Sequence, residues 1–445
     1  MSLLIRDLVL FLLLALGVIL LSNKLALPYT VGLVIVGMGL GALHMFSEAA
    51  LTPELVLFVF LPPLLFEGAW SVNLSLLRQN WRVIFFLAGP GLLLSLVIIA
   101  GILHIVEHLD WLTALLLAAI LSPTDPVAVL GLFRQLRVNK CLSTIIEGES
   151  LFNDGVAGSL YQIFLMLLLL SLHGQPLFFD TTWRLVLVVL WDAVGGILLG
   201  VVGGWLISQG LKRLDDPLLE TTVTLITAYG LYWLAETVQT SAIVTVIVSG
   251  LLLGTYGRKV AMSERTNSEV ETFWRMVAFL ANALIFLLIG IQVQGLIPHL
   301  FSEPSFSLWG VALLAVGVVL LARLALVLLL SGRFFVRFTR PASNETQAEL
   351  LRRPLPRSWG VILFWSGLRG ALSLALVLAL PTDLPNRPTL VISTYAVVAF
   401  TLLVQGLSLR WVLHRVLAKQ TGRQPASRIP ADLEETALIE DRSLP

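Results

Sequence analysis

Two carboxylates lie in stretches of sequence that are apolar enough to sit inside a lipid bilayer. Asp125 falls in the run L-S-P-T-D-P-V-A-V, and Asp154 follows a short basic loop in the run E-G-E-S-L-F-N-D-G. A charged side chain at membrane depth is costly, so an intramembrane carboxylate indicates a functional site by default. Two such acids on successive segments predict an ion site.

Prolines interrupt the segment that carries Asp125. Pro123 and Pro126 flank this residue, and proline removes a backbone donor and breaks a helix locally. Transporters use the free carbonyls and half-helix ends at such breaks to coordinate cations near the membrane midplane. We therefore expect Thr124 and Asp125 to contribute to the ion site. The alternative is a proline kink at which Asp125 caps the second half-helix, and capping is expected in either case.

Helical spacing places the polar residues around Asp154 on two faces. Ser150 lies four residues before Asp154 and shares its face, so a hydroxyl and a carboxylate can meet one cation. Glu149 and Asn153 share the adjoining face, turned by roughly 100°, where they can hold structural hydrogen bonds. The alternative is that Glu149 and Ser150 are cap residues at a helix N-terminus.

A second interruption, W-S-G-L-R-G-A-L-S, occurs in a late apolar segment and carries Arg369. A buried guanidinium needs a carboxylate or several carbonyls, and Glu149 is the partner that we expect. Two interrupted segments in corresponding halves of a chain indicate a transporter built from inverted repeats. The alternative is that Arg369 lies at a membrane edge.

Other polar residues in apolar segments are open to more than one interpretation. Glu67 follows a predicted break at Pro62 and Pro63, near the end of its segment, where either an ion ligand or a surface acid would fit. Four further residues are expected to pair helices or to anchor them at the membrane interface: Asp192, Arg275, Asn282 and Arg323.

The elements that must position these residues are membrane helices. Of the 445 residues, 57% are hydrophobic and 13% are charged, and the mean hydropathy is +0.91. A spanning helix needs roughly 20 apolar residues, and such segments recur throughout, which predicts an all-α polytopic membrane protein. We predict about 13 spans, near residues 3–22, 28–44, 52–70, 81–106, 111–133, 141–171, 183–209, 217–236, 240–256, 268–294, 306–331, 357–381 and 388–416.

The positive charges of the loops predict an orientation. With the N-terminus outside, most loop Lys and Arg residues fall on the inner side, and only Arg6, Arg184 and Arg387 fall on the outer side. Cytoplasmic loops carry the Lys and Arg excess, so the N-terminus is predicted outside and the C-terminus in the cytoplasm. Residues 418–445 form a short polar tail, which we expect to be disordered.

Several classes of protein are not supported. The net charge of +1 gives no argument for nucleic acid, and the single cysteine, Cys141, excludes an intrachain disulfide and a cysteine metal cluster. The chain has neither a G-x-x-x-x-G-K-[ST] phosphate loop nor an H-E-x-x-H motif. It also lacks the Y-D and G-x-G-D pair of intramembrane aspartyl proteases. We therefore expect no enzymatic activity and no cofactor.

The three motifs S-P-T-D-P-V-A-V, G-E-S-L-F-N-D-G and G-L-R-G-A, in this order, resemble the pattern of the monovalent cation/proton antiporter superfamily. Within it, the chain is similar to the NhaP-type branch, which includes the eukaryotic sodium/proton exchangers. The resemblance implies a membrane domain over residues 1–417 with inverted repeats and two unwound, crossing helices. A six-helix transport core, near 81–171 and 306–416, would stand beside dimerisation helices.

The resemblance also implies roles for individual residues. Asp154 would be the essential carboxylate, and the Na⁺ site would be completed by Asp125, Ser150 and the Thr124 carbonyl, with Glu67 nearby. The residues that would hold the unwound region together are Asn153, Glu149 and Arg369. The pair Asn153-Asp154 is typical of electroneutral members of the superfamily.

The predicted function is exchange of Na⁺, or Li⁺, for H⁺ by alternating access, with ion and proton competing for Asp154. We expect a 1:1 electroneutral exchange that serves pH homeostasis and salt tolerance. The protein is expected to be a homodimer in a prokaryotic plasma membrane. Exchange of K⁺ for H⁺ within the same family and a cation channel remain as alternatives.

Overall fold

The structure is a computed structural model that describes the backbone of residues 2–25, 28–43, 52, 54–136, 138–174, 179–302, 306–331 and 357–421. These residues form helices and connecting loops, without a β-strand. In chain order the helices are α1 Ser2–Leu25, α2 Tyr29–Ala42, α3 Leu55–Ser71, α4 Leu74–Glu107, α5 Trp111–Leu121, α6 Val127–Gln135, α7 Lys140–Leu172, α8 Phe179–Leu211, α9 Pro217–Thr237, α10 Ala242–Val260, α11 Glu264–Ser302, α12 Phe306–Ser331, α13 Arg357–Trp365, α14 Ala371–Leu378 and α15 387–421.

The helices follow the predicted spans in order, and the prediction of an all-α polytopic membrane protein is confirmed. Within the described ranges, seven helical stretches have the length and apolar composition needed to cross a membrane, and shorter apolar helices lie between them. The fifth predicted span is divided into α5 and α6, and the twelfth into α13 and α14. Most of the predicted tail, residues 422–445, lies outside the described residues.

Polar caps determine where several of these apolar helices begin. Asp110 accepts a hydrogen bond from the Leu112 N–H at 3.1 Å at the start of α5. Asn139 accepts one from the Cys141 N–H at 2.8 Å at the start of α7. Such side chains satisfy donors in the first helical turn that have no partner within the helix. The start of α7, and with it the position of Asp154 along the bundle, is therefore encoded locally.

The break predicted at Pro62 and Pro63 is absent, which corrects the sequence interpretation. Residues Leu55–Phe60 form a π-helical turn, and the two prolines occupy the first positions of the α-helical part that follows. The wider turn accommodates the prolines, so α3 continues without interruption to Glu67 and Ser71.

The helices pack in two groups. The central group contains α4–α7 and α12–α15: α4 packs against α5, α7 and α12, while α15 packs against α12, α14 and α5. The flanking group contains α1–α3 and α8–α11: α2 packs against α11, while α10 packs against α3, α8 and α9. Fewer residues join the groups, mainly through α7 with α8 and α10, and α3 with α14.

Candidate functional site

The two interrupted segments, residues 122–126 and 366–370, meet inside the central group. The Asp125 N–H donates a hydrogen bond of 2.8 Å to the Leu368 carbonyl. The Arg369 N–H donates one of 3.1 Å to the Thr401 hydroxyl on α15. Backbone groups that the breaks leave free thus find partners inside the protein, as non-helical backbone at membrane depth requires.

Arg369 stabilises the first break and does not pair with Glu149. Its Nη1 donates to the Ser122 carbonyl at 2.6 Å and to the Pro123 carbonyl at 2.9 Å. The side chain is 3% exposed. The prediction that Glu149 is its partner is wrong, because Arg369 lies next to carbonyls that the proline break leaves without donors.

Glu149 pairs instead with Arg323 on α12. Arg323 donates through Nη1 and Nη2 to the two carboxylate oxygens of Glu149, the second at 3.1 Å, and through Nε to the Leu363 carbonyl at 3.0 Å. Both side chains are buried. This two-pronged ion pair joins α7 to α12 and confirms that Arg323 pairs helices.

Hydroxyl and amide groups connect the first break to α7. The Thr124 and Ser150 hydroxyls lie 2.9 Å apart, and the Asn153 amide donates to the Thr124 hydroxyl at 3.5 Å. The Asp125 carboxylate accepts a hydrogen bond of 2.9 Å from the Val127 N–H, which confirms the predicted capping of the second half-helix. One oxygen of Asp125 is thus held by α6, while its other oxygen accepts no hydrogen bond from the residues that the structure describes.

A cavity of about 340 Å³ brings the predicted ion ligands together. Its lining contains all five of them: Asp154, Asp125, Ser150, Thr124 and Glu67. The three predicted supporting residues, Asn153, Glu149 and Arg369, are buried behind this lining. Carboxylate, hydroxyl and carbonyl oxygens are the ligands that hard cations prefer, so the arrangement can bind a small cation or a proton.

Sequence reasoning missed several lining residues. The structure adds Tyr29, Arg134 and Glu147 to the cavity wall. Glu147 precedes Ser150 by three residues and Asp154 by seven, a spacing that places all three on one helical face, and this signal could have identified it. Arg134 and Tyr29 carry no comparable signal, because they come from helices whose packing the sequence does not specify.

The other polar residues have mixed outcomes. Asp192 accepts a hydrogen bond of 2.8 Å from the Ser159 hydroxyl, which joins α8 to α7 as expected. Arg275 forms its ion pair with Glu271, one turn earlier in α11, at 2.6 Å. Of the two roles expected for this residue, anchoring at the membrane interface therefore stays a prediction, and the ion pair does not join two helices. Arg275 and Asn282 both line the cavity.

Replacing Gly370 by alanine should damage the site. A methyl group at this position would collide with the Asp125 carboxylate, and overpacking of this kind costs about 1–3 kcal/mol. We expect a lower unfolding midpoint in detergent and weaker Na⁺ binding. Gly317→Ala on α12 is the matched control, since its added methyl would meet no atom within 4 Å. Equal behaviour of the two variants would contradict the close approach at Gly370.

Comparisons with known proteins agree with this architecture. Residues 10–415 match the family model described as "Sodium/hydrogen exchanger, transmembrane". The low-affinity Na⁺/H⁺ antiporter NhaS1 of Synechocystis sp. is 37% identical in an alignment of 429 residues that covers 93% of this chain and 77% of NhaS1. The Na⁺/H⁺ antiporter ApNhaP of Aphanothece halophytica is 38% identical over 392 residues, which are 88% of this chain and 70% of ApNhaP.

A solved structure has the same fold. The sodium proton antiporter MjNhaP1 from Methanocaldococcus jannaschii at pH 8 superimposes with a TM-score of 0.69 and 21% identity, covering 94% of this chain and 99% of that one. The resemblance and the fold predicted from the three motifs are thereby confirmed. The protein is an integral membrane protein, and the chain belongs to the sodium/hydrogen exchanger family.

Proposed function

We propose that this chain exchanges Na⁺, or Li⁺, for H⁺ across the membrane. The observation that carries the proposal is the cavity in which Asp154, Asp125, Ser150 and Thr124 converge beside two interrupted helices. The related proteins NhaS1 and ApNhaP are named Na⁺/H⁺ antiporters, and this supports the same substrates here. The transported ions are substrates, and the proposal needs no cofactor and no enzymatic step.

Asp154 is the group that carries either the cation or the proton in this proposal. Within the described part of the chain, its carboxylate lines the cavity without a hydrogen-bonding side chain. Ser150, Thr124 and Asp125 supply the other oxygens of the Na⁺ site, and Glu67 faces it from α3. Asn153, Glu149 and Arg369 keep the two breaks in place through the contacts described above.

Exchange proceeds by movement of the central group against the flanking group. The six helical spans of the central group correspond to the proposed transport core, and the flanking helices provide the proposed homodimer contact. We place the N-terminus outside and the C-terminus in the cytoplasm of a prokaryotic plasma membrane, as the loop charges suggest. Asn153 contributes an amide in place of a second acid, so one Na⁺ replaces one H⁺ without net charge movement.

Competition for one carboxylate predicts a specific pH dependence. Below the pH at which Asp154 becomes protonated, the Na⁺ concentration for half-maximal exchange should rise on the order of tenfold per pH unit, since only the ionised site binds Na⁺. The maximal rate at saturating Na⁺ should change much less. Initial rates over a matrix of pH and Na⁺ concentrations measure both quantities. A half-saturating concentration that does not vary with pH would contradict competition.

Sodium uptake into proteoliposomes tests the function itself. The uptake is driven by an imposed pH gradient while the membrane voltage is clamped and then varied. Uptake that follows the pH gradient and ignores the voltage is the expected result for electroneutral exchange. Uptake that follows voltage without a pH gradient would identify a channel, and the same assay with K⁺ tests the alternative substrate.

A further inference from the structure

We infer that Glu147 controls how cations reach Asp154: its carboxylate lies on their path, and its charge sets the apparent affinity for Na⁺. This inference rests on the proposed function and extends it to a residue outside the ion site. Glu147, Ser150 and Asp154 line the same cavity from one face of α7. Seven residues of helix place Glu147 about 10 Å from Asp154 along the axis.

The exposure of the lining residues locates Glu147 between the mouth of the cavity and its floor. Ser71 and Arg134 are exposed and belong to the mouth, whereas Thr124 and Ser150 are buried at the floor. Glu147 is half-buried and accepts a hydrogen bond of 3.2 Å from the Ser71 hydroxyl. A cation that enters from the mouth therefore passes Glu147 before it reaches Asp154.

Glu147 is one of several charged residues around the cavity. Glu67 faces the cavity from α3, Arg134 from α6 and Arg275 from α11. Arg275 pairs with Glu271, which also pairs with Arg258 at 3.2 Å. The charged residues that line the cavity are the acids Glu67, Asp125, Glu147 and Asp154 and the bases Arg134 and Arg275. Neutralising Glu147 would remove one negative charge from the path of a cation and leave the charges of Arg134 and Arg275 less compensated.

An electrostatic role has consequences that a purely structural role does not share. A charged cleft raises the local concentration of oppositely charged ions and speeds their association. The effect should therefore appear in the Na⁺ concentration for half-maximal exchange and not in the maximal rate. It should also shrink when salt screens the charges.

The experiment compares Na⁺ kinetics in everted membrane vesicles, whose bath faces the cytoplasmic side. The orientation proposed above places Arg134, and with it the mouth of the cavity, on that side. Glu147→Gln should raise the half-saturating Na⁺ concentration about threefold to tenfold at low ionic strength, with the maximal rate retained. Adding choline chloride, which screens the charges, should reduce the difference in half-saturating Na⁺ concentration between Glu147→Gln and wild type. Glu147→Asp, which keeps the charge, should restore the wild-type value. Glu107→Gln is the matched control, because Glu107 lies at the C-terminal end of α4 and outside the cavity lining. Its Na⁺ kinetics should equal those of wild type.

The variant Ser71→Ala separates the effect of the Glu147 charge from the effect of the hydrogen bond between Ser71 and Glu147. It removes the donor to Glu147 but keeps the carboxylate, so the half-saturating Na⁺ concentration should stay close to that of wild type. The inference is overturned if Ser71→Ala reproduces the effect of Glu147→Gln, or if Glu147→Gln alters only the maximal rate. If wild-type vesicles show no exchange, both the proposed function and this inference are wrong. If wild type is active and Glu147→Gln has the same kinetics, only this inference is wrong.

Discussion

Asp154→Asn should abolish Na⁺/H⁺ exchange. The amide keeps the size of the side chain but can neither release a proton nor offer a negative charge to a cation. The neighbouring ligands Ser150 and Thr124 are neutral, and Asp125 already contributes its own carboxylate to the site. None of them can supply the second negative charge that Asp154 provides. Exchange by the variant, measured as Na⁺ uptake driven by a pH gradient, should fall to the level of protein-free vesicles.

An intramembrane aspartate outside the ion site provides the matched control for this variant. Asp192 on α8 lies outside the cavity lining and accepts a hydrogen bond from Ser159. Asp192→Asn makes the same chemical change in a membrane helix, and we expect exchange to continue. Exchange retained in Asp154→Asn at wild-type expression would mean that Asp154 is not the carrier.

Removing Glu149 should destabilise the protein strongly. Glu149→Ala leaves the Arg323 guanidinium buried without its carboxylate, and breaking a buried ion pair in this way costs about 3–5 kcal/mol. The pair joins α7 to α12, so the damage should extend to the crossing of the two interrupted segments. Thermal unfolding of the purified protein in detergent measures the effect as a lower midpoint.

A double variant tests whether the cost comes from the stranded charge. Glu149→Leu combined with Arg323→Met removes both charges and keeps apolar volume, and such replacements are often neutral or stabilising. We expect the double variant to unfold at a higher temperature than Glu149→Ala. If Glu149→Ala has the same thermal unfolding midpoint as wild type, the ion pair contributes little to the stability of the folded protein.

Much of the fold could be predicted from the sequence because the bilayer restricts the options. Spanning backbone must satisfy its own hydrogen bonds, so the long apolar runs predicted helices in the correct order. Pro123 and Pro126 marked the break in the fifth span for a local reason, the missing backbone donors. The glycines around Arg369 marked the break in the twelfth.

The side-chain partners across helices could not be predicted in the same way. Helical spacing identified the face shared by Ser150 and Asp154, but it does not specify which neighbouring helix faces Glu149. Arg323 on α12 and Arg369 in the second break both lie in apolar segments of the sequence, and either could pair with Glu149. The prediction chose Arg369, whereas the structure shows Arg323. At Pro62 and Pro63, a π-helical turn accommodates residues that usually interrupt a helix, and composition does not distinguish the two outcomes.

Proton release on Na⁺ binding tests whether Asp154 holds either a proton or Na⁺, since one carboxylate cannot hold both. Purified protein in weakly buffered detergent solution is titrated with NaCl while a pH-sensitive dye reports released protons. At a pH where the site is protonated, wild type should release about one proton for each Na⁺ bound, and Asp154→Asn should release none. Saturable Na⁺ binding without proton release, or release that persists in Asp154→Asn, would contradict competition at Asp154.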